Sequence, residues 1–121
     1  MSDDPLGELR QLVRNFINER NWKQYHTPKN LAMSIAIESA EILELFQWYT
    51  NEEASLKVKN DPNLKLALED ELADVLIYCL SMSNTCEIDL VEVIKKKLKT
   101  NEVRFPIDVV SGRLGPYKKE S

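Results

Sequence analysis

Two pairs of carboxylates at helical spacing are the residues in this chain best placed to do chemistry: Glu38 with Glu41, and Glu71 with Asp74. Residues three apart on a helix project from one face about one turn apart. Their neighbours indicate where the pairs point. Leu31, Ile35, Glu38, Ile42, Leu45 and Tyr49 follow alternating steps of four and three, as do Leu64, Leu68, Glu71, Val75, Tyr78 and Met82. This is the seam that a bundle helix turns toward its neighbours, and a glutamate holds the same slot in each row. If the two helices form an antiparallel hairpin, four carboxyl groups meet inside the bundle. Buried like charges of that kind are protonated or unfold the chain unless cations neutralise them. No Lys or Arg interleaves with these positions, so a hard divalent metal on oxygen ligands is the expected counter-charge, Mg²⁺ with Mn²⁺ as substitute. The competing reading, two solvated acidic faces, fits poorly with the apolar residues of the seams. A di-iron carboxylate bundle needs two Glu-x-x-His pairs, and the single histidine, His26, precedes the second helix.

A later row, Leu90, Ile94, Lys97, Asn101 and Arg104, starts apolar and turns cationic, as a helix facing a phosphate would. Helix-dipole complementarity accounts for the neighbouring Lys95, Lys96 and Lys99, and is an equal alternative for Lys97 and Arg104. Carboxylates for metal beside Lys and Arg are the equipment of polyphosphate cleavage, where catalysis is largely positioning and charge neutralisation. Trp22, His26, Trp48, Tyr78 and Phe105 are planar groups suited to stacking on a nucleobase, with aromatic core packing as the alternative for Trp48 and Tyr78. In an antiparallel hairpin Trp48 and Tyr78 fall on opposite sides of the metal site and need not share a pocket within one subunit.

These residues require helices to hold them. Asp3-Asp4-Pro5 opens a first helix that should end near Arg20 or Asn21. Thr27-Pro28 opens a second, running to about Tyr49, where Thr50-Asn51 closes it. Glu52 to Lys59 suggests a helical turn. Asp61-Pro62 opens a third helix to about Asn84, apolar on most faces and hence expected to be buried, and Asp89 with Glu92 resembles a capping box opening a fourth. Four helices with short connections predict an all-α four-helix bundle, one domain over 1–105, followed by a mobile tail over 106–121.

Composition agrees and narrows the function. A chain of 121 residues with three glycines and 30% charged residues favours one helical domain over a sandwich or barrel. Its net charge of −4 argues against nucleic acid as a partner. Cys79 and Cys86 lack metal-ligand spacing and read as buried free thiols of a cytoplasmic protein. The longest apolar stretch, around Val75 to Leu80, is far too short to span a membrane.

From about Leu9 to Pro106 the sequence resembles the MazG-like all-α nucleotide pyrophosphohydrolases, and within them the dCTP pyrophosphatase subgroup. The family's Glu-x-x-Glu and Glu-x-x-Asp correspond to Glu38, Glu41, Glu71 and Asp74. The subgroup resemblance lies in Glu19-Arg20-Asn21-Trp22, His26-Thr27-Pro28-Lys29-Asn30-Leu31, Glu44-Leu45-Phe46-Gln47-Trp48, Asp74-Val75-Leu76-Ile77-Tyr78, and Lys97, Asn101 and Arg104-Phe105-Pro106. It implies Mg²⁺ on the four carboxylates and water attack on the α-phosphorus of a nucleoside triphosphate. A carboxylate of the quartet, Glu41 in preference to Glu38, would act as base. It also implies Trp22, His26, Trp48 and Tyr78 around base and sugar, Lys97, Asn101 and Arg104 on phosphates, and a homodimer or homotetramer. Asn21 stands where the subgroup often has Asp, and Phe105 where it often has Tyr, so base preference is less determined than reaction type. Members that cleave dUTP or phosphoribosyl-ATP share the metal site. A non-catalytic helical module that binds nucleotide or partner protein is the reading from another class.

Overall fold

The computed structural model describes residues 3–113, and these contain helices and no strand. Helix α1 spans Pro5–Glu19, a single 3₁₀ turn spans Lys23–Tyr25, and α2 spans Pro28–Phe46; α3 (Asn51–Asn60) and α4 (Pro62–Thr85) follow. These elements lie in one compact unit, residues up to Glu87, and a second unit from Ile88 onward holds α5 (Leu90–Arg104) and the short α6 (Ile107–Val110).

Local polar residues set the boundaries. Helix starts leave backbone N–H groups without intrahelical partners, and a short side chain with an oxygen satisfies them. Asp4 accepts from Gly7 N, Thr50 Oγ1 from Glu53 N at 3.1 Å, and Asp89 from Glu92 N at 3.2 Å. Asp61 serves two helices: its N–H donates to Lys57 O at the end of α3, while its carboxylate accepts from Asn63 N and Leu64 N at the start of α4. Thr27 occupies the N-cap position of α2 without a side-chain capping bond, leaving Pro28 to set the first turn.

Two boundaries differ from those expected. The second helix stops at Phe46 rather than about Tyr49, and Thr50 does not close it but opens α3, a ten-residue helix where only a turn was expected. The cause is local: Thr50 and Glu53 stand at capping-box spacing, and Asn51–Asn60 can then propagate as a helix. Beyond Pro106, residues expected in the tail form α6; the rest of that tail, 114–121, lies outside the described residues.

Within the first unit α4 is the central element, with α1, α2 and α3 each packed on it. His26 at the start of α2 meets Ser81 near the end of α4, while Glu38 further along α2 meets Glu71 and Asp74 earlier in α4, so the two helices run antiparallel. Asn84 ties α1 to the same end of α4: its Oδ1 accepts from Arg10 Nε at 3.0 Å and Arg14 Nη2 at 3.1 Å, and its Nδ2 donates to Arg10 O at 3.0 Å. The buried apolar residues, Val13, Ile17, Leu31 and Leu80, come from α1, the first turn of α2 and the last third of α4.

The expectation that α4 is buried on most faces does not hold within the chain. Leu72, Leu76 and Ile77 are exposed, because α1, α2 and α3 leave that side of the helix uncovered. Cys79 is half-buried and Cys86, in the turn after α4, is exposed; both are free thiols, but the second is not buried as expected. Among the described residues no helix is long and apolar enough to cross a membrane.

Because Asp61 caps two helices at once, Asp61→Ala should lower unfolding stability by about 1–2 kcal/mol, read as a shift of the urea midpoint at unchanged slope. An unchanged midpoint would show that the junction contributes nothing.

Candidate metal and nucleotide site

The seam glutamates converge. Carboxylate oxygens of Glu38, Glu71 and Asp74 lie within 4.8 Å of one another, all three side chains half-buried. Glu41, one turn beyond Glu38, stands outside this triad but within hydrogen-bonding reach of both Glu71 and Glu38. Sequence spacing thus brings all four carboxyl groups to one place, as three close groups and one at their flank.

Glu38 Oε2 and Glu71 Oε2 are shut off from solvent and accept no hydrogen bond from an N–H or hydroxyl donor of the protein. The groups within reach of them are other carboxylates, which can bond to one another only by sharing a proton. Among the described residues no Lys, Arg or His forms an ion pair with any of the four. The electrostatic consequence is direct. The Glu71 carboxyl is pushed up to about 7, first by its hydrogen bond with Glu41, then by burial and by the negative charges of Glu41 and Glu38. Glu38 is raised too, by burial first and then by Glu41 and Asp74. Oxygen donors alone, an acidic excess and two orphaned buried acceptors form a donor set suited to a hard divalent cation.

One helical row continues this face of α4. Glu71, Asp74, Tyr78, Ser81 and Thr85 follow steps of three and four, so the polar stripe runs from the carboxylates to a cavity about 10 Å along the axis. That cavity, ≈ 120 Å³, is lined among others by Arg14, Lys23, His26, Ser81, Asn84 and Thr85. The His26 ring stacks on Tyr78, with ring centroids 6.2 Å apart and planes at 25°. Its Nδ1 lies 2.8 Å from Ser81 Oγ, and its carbonyl accepts from Thr85 Oγ1 at 3.1 Å. Burial lowers the His26 pKa and favours the neutral ring.

The other aromatic candidates are less gathered. Trp22 packs edge-on against Phe16, with centroids 5.9 Å apart, just before the 3₁₀ turn. The left-handed Asn21 (φ 56°) makes the reversal that brings this segment off α1. Trp48 lies past the opposite end of α2, 84% exposed, which removes core packing within the chain as its role. Trp48 does not line the cavity that His26 lines. Lys97, Asn101 and Arg104 share one face of α5 in the second unit. Lys97 and Arg104 are exposed, the latter with its guanidinium 5.2 Å from the Phe105 ring centroid, and Asn101 is half-buried.

Sequence reasoning missed Ser81, Asn84, Thr85 and Arg14. The signal for two of them was present: Ser81 and Thr85 extend the Glu71, Asp74, Tyr78 row at unbroken spacing. Asn84 and Arg14 gave none, because their meeting depends on how α1 packs.

The raised Glu71 pKa fixes the sign of a pH effect. Between the ordinary value of 4.5 and about 7 the folded chain holds a proton that the unfolded chain has lost, so this group's contribution to stability declines as pH rises across that window. In EDTA, the melting temperature of the wild type should therefore fall relative to Glu71→Gln between about pH 5 and 7.5, and Mg²⁺ should reverse the loss in the wild type alone. A gap between the two proteins that does not change with pH would contradict the crowding of these carboxylates.

The chain is similar to known proteins in both sequence and fold. The chain matches the MazG-like family over residues 33–113, a stretch that includes all four carboxylates and the cationic row of α5. It is 35% identical to dCTP pyrophosphatase 1 of Bos taurus over 116 residues, 96% of this chain and 68% of that protein. It is 38% identical to dCTP pyrophosphatase 1 of Homo sapiens over 101 residues, 84% of this chain and 59% of that protein. The chain thus spans roughly two thirds or less of the length of these curated relatives. A crystal structure of a pyrophosphatase from Archaeoglobus fulgidus is 41% identical and superposes with a TM-score of 0.79, covering 88% of this chain and 96% of that one. With likeness of this extent in both sequence and fold, and the acidic seam inside the matched stretch, the chain belongs to the MazG-like family.

Proposed function

We propose that this protein is a Mg²⁺-dependent pyrophosphohydrolase that cleaves a deoxynucleoside triphosphate, dCTP or a modified dCTP, between the α- and β-phosphates. The products are the monophosphate and pyrophosphate, and the role is cleaning the free nucleotide pool of the cytoplasm. The observation that carries this reading is the pair of solvent-shielded, unpartnered oxygens on Glu38 and Glu71, gathered with Asp74. The similarity to dCTP pyrophosphatase 1 of Bos taurus and Homo sapiens supports the substrate.

Glu38, Glu41, Glu71 and Asp74 would hold the cation, which when bound supplies Lewis-acid neutralisation of the polyphosphate charge. The remaining chemistry belongs to the chain. Glu41, at the flank of the triad, would take a proton from the attacking water, with Glu38 as the alternative base. The water oxygen bonds to the α-phosphorus as the bond to the α,β-bridging oxygen breaks, and pyrophosphate leaves. Lys97, Asn101 and Arg104 would hold phosphate oxygens from their common face of α5. His26 and Tyr78, stacked at the cavity, would receive base and sugar together with Trp22.

Trp48 would act across a subunit boundary. It is fully presented to solvent within one chain, and large apolar side chains such as Ile37 (59% exposed) and Leu76 (54%) lie open on α2 and α4. A homodimer or homotetramer that covers these faces would bring the Trp48 of one subunit to the nucleotide of another.

Each common NTP and dNTP incubated with Mg²⁺ or with EDTA should give monophosphate plus pyrophosphate from dCTP, with Mg²⁺ only; diphosphate plus orthophosphate would overturn the reaction class. Glu38→Gln and Asp74→Asn should each reduce turnover by at least about a hundredfold in a folded protein whose metal-free melting temperature is unchanged or raised. Sedimentation should give a dimer or tetramer, and Trp48→Ala should raise KM more than it lowers kcat. A monomer with full activity would sink the shared pocket.

A further inference from the structure

We propose that Ser81 is a positioning residue: its hydroxyl donates to His26 Nδ1 and so fixes His26 as the Nε2–H tautomer, making the ring a hydrogen-bond donor toward an acceptor atom of the bound nucleoside. The role in binding rests on the reading of the His26 cavity given above; the tautomer does not.

Ser81 is 2% exposed and its Oγ lies 2.8 Å from His26 Nδ1. A helical serine ordinarily returns its hydroxyl proton to a carbonyl one turn back. Ser83, two residues on, does this, with Oγ 2.8 Å from Leu80 O, and Thr100 does it to Lys96 O. Ser81 makes no such bond, and its one hydrogen-bond partner among the described residues is the imidazole. A buried O–H without an acceptor is costly, so the hydroxyl proton lies on the line to Nδ1, and Nδ1 is the ring's acceptor nitrogen. In a neutral ring the second proton is then on Nε2. Burial disfavours the charged ring.

The rest of the geometry leaves orientation to this contact. Thr85 holds the His26 backbone through its carbonyl, and Tyr78 holds the plane of the ring by stacking, but neither distinguishes one ring nitrogen from the other. Ser81 does. With Arg14 and Lys23 also lining the cavity, the pocket becomes one of donors, fitted to carbonyl, ring-nitrogen or sugar oxygen acceptors of a nucleotide.

His26 is the single histidine of the chain, so its imidazole nitrogens can be observed without assignment by mutation. Long-range ¹H–¹⁵N spectra of the wild type above the His26 pKa should show one tautomer, protonated at Nε2. Ser81→Ala, checked for fold by circular dichroism, should show a mixture of tautomers. Its KM should rise roughly three- to tenfold, the fold-change of one neutral hydrogen bond, with kcat within about twofold. A wild type protonated at Nδ1 overturns the proposal without any variant, as does a Ser81→Ala protein with unchanged tautomer and KM. If the tautomers behave as stated but His26→Ala leaves KM unaltered, the lock stands and the nucleotide reading of the cavity falls.

Discussion

Carboxylates crowded into a helical seam must share either protons or a cation, and that constraint organises this protein. Glu38 and Glu71 occupy the seam positions where apolar residues would bind α2 to α4 most cheaply, and Glu41 and Asp74 add charge from the next turn. Without metal the quartet partly resolves its repulsion by retaining a proton on Glu71. That solution is labile: it fails as pH rises, and it leaves two buried oxygens without a donor. The divalent cation proposed above would remove both defects at once. The chain gives up apolar packing at the middle of its longest helix pair for these crowded carboxyl groups.

Stability has to come from elsewhere, and the distribution of the remaining contacts reflects this. The apolar core sits at the end of the hairpin away from the carboxylates, in Val13, Ile17, Leu31 and Leu80, and the Arg10, Arg14 and Asn84 network clamps α1 onto the same end. Each of α1, α3, α4 and α5 is started by a side-chain cap, which costs the core nothing because it acts locally. Four buried apolar side chains among the described residues make a thin core. Apolar side chains left open on α2 and α4 are the complement of that thin core, and the proposed assembly of subunits is the means by which they would be covered.

How much of this was legible in the sequence depended on whether the cause was local. Helix starts were readable because Asp4, Asp61 and Asp89 cap through groups two or three residues away. The convergence of the carboxylates was readable because seam spacing determines which faces of two helices meet. Thr50 was ambiguous: followed by Asn51 it reads as the close of one helix, and with Glu53 at capping-box spacing as the start of the next, which is the role it takes. The exposure of Leu72, Leu76 and Ile77 was not readable: an apolar face has the same pattern whether a neighbouring helix or another molecule covers it. The meeting of Arg14 with Asn84, 70 residues apart, likewise depends on packing that no periodicity encodes.

The polar row of α4 shows how one helix can hold two chemistries apart. Toward its first half, Glu71 and Asp74 offer anionic oxygens that favour a hard cation; toward its second half, Tyr78, Ser81 and Thr85 offer neutral groups that meet His26. A spacing of about 10 Å separates them, which matches the extent of a triphosphate with its sugar. Because both sets project from one helix, their backbone attachment points keep a fixed separation, and in the proposed function a nucleotide bound at one end would be held in register at the other. Selectivity for the base can then change through α1, α2 and the 3₁₀ turn, which face the cavity, without disturbing the carboxylates. That separation explains why the acidic motif was easier to read than the base preference: the carboxylate cluster is set within a helix pair, and the cavity is set by what packs against it.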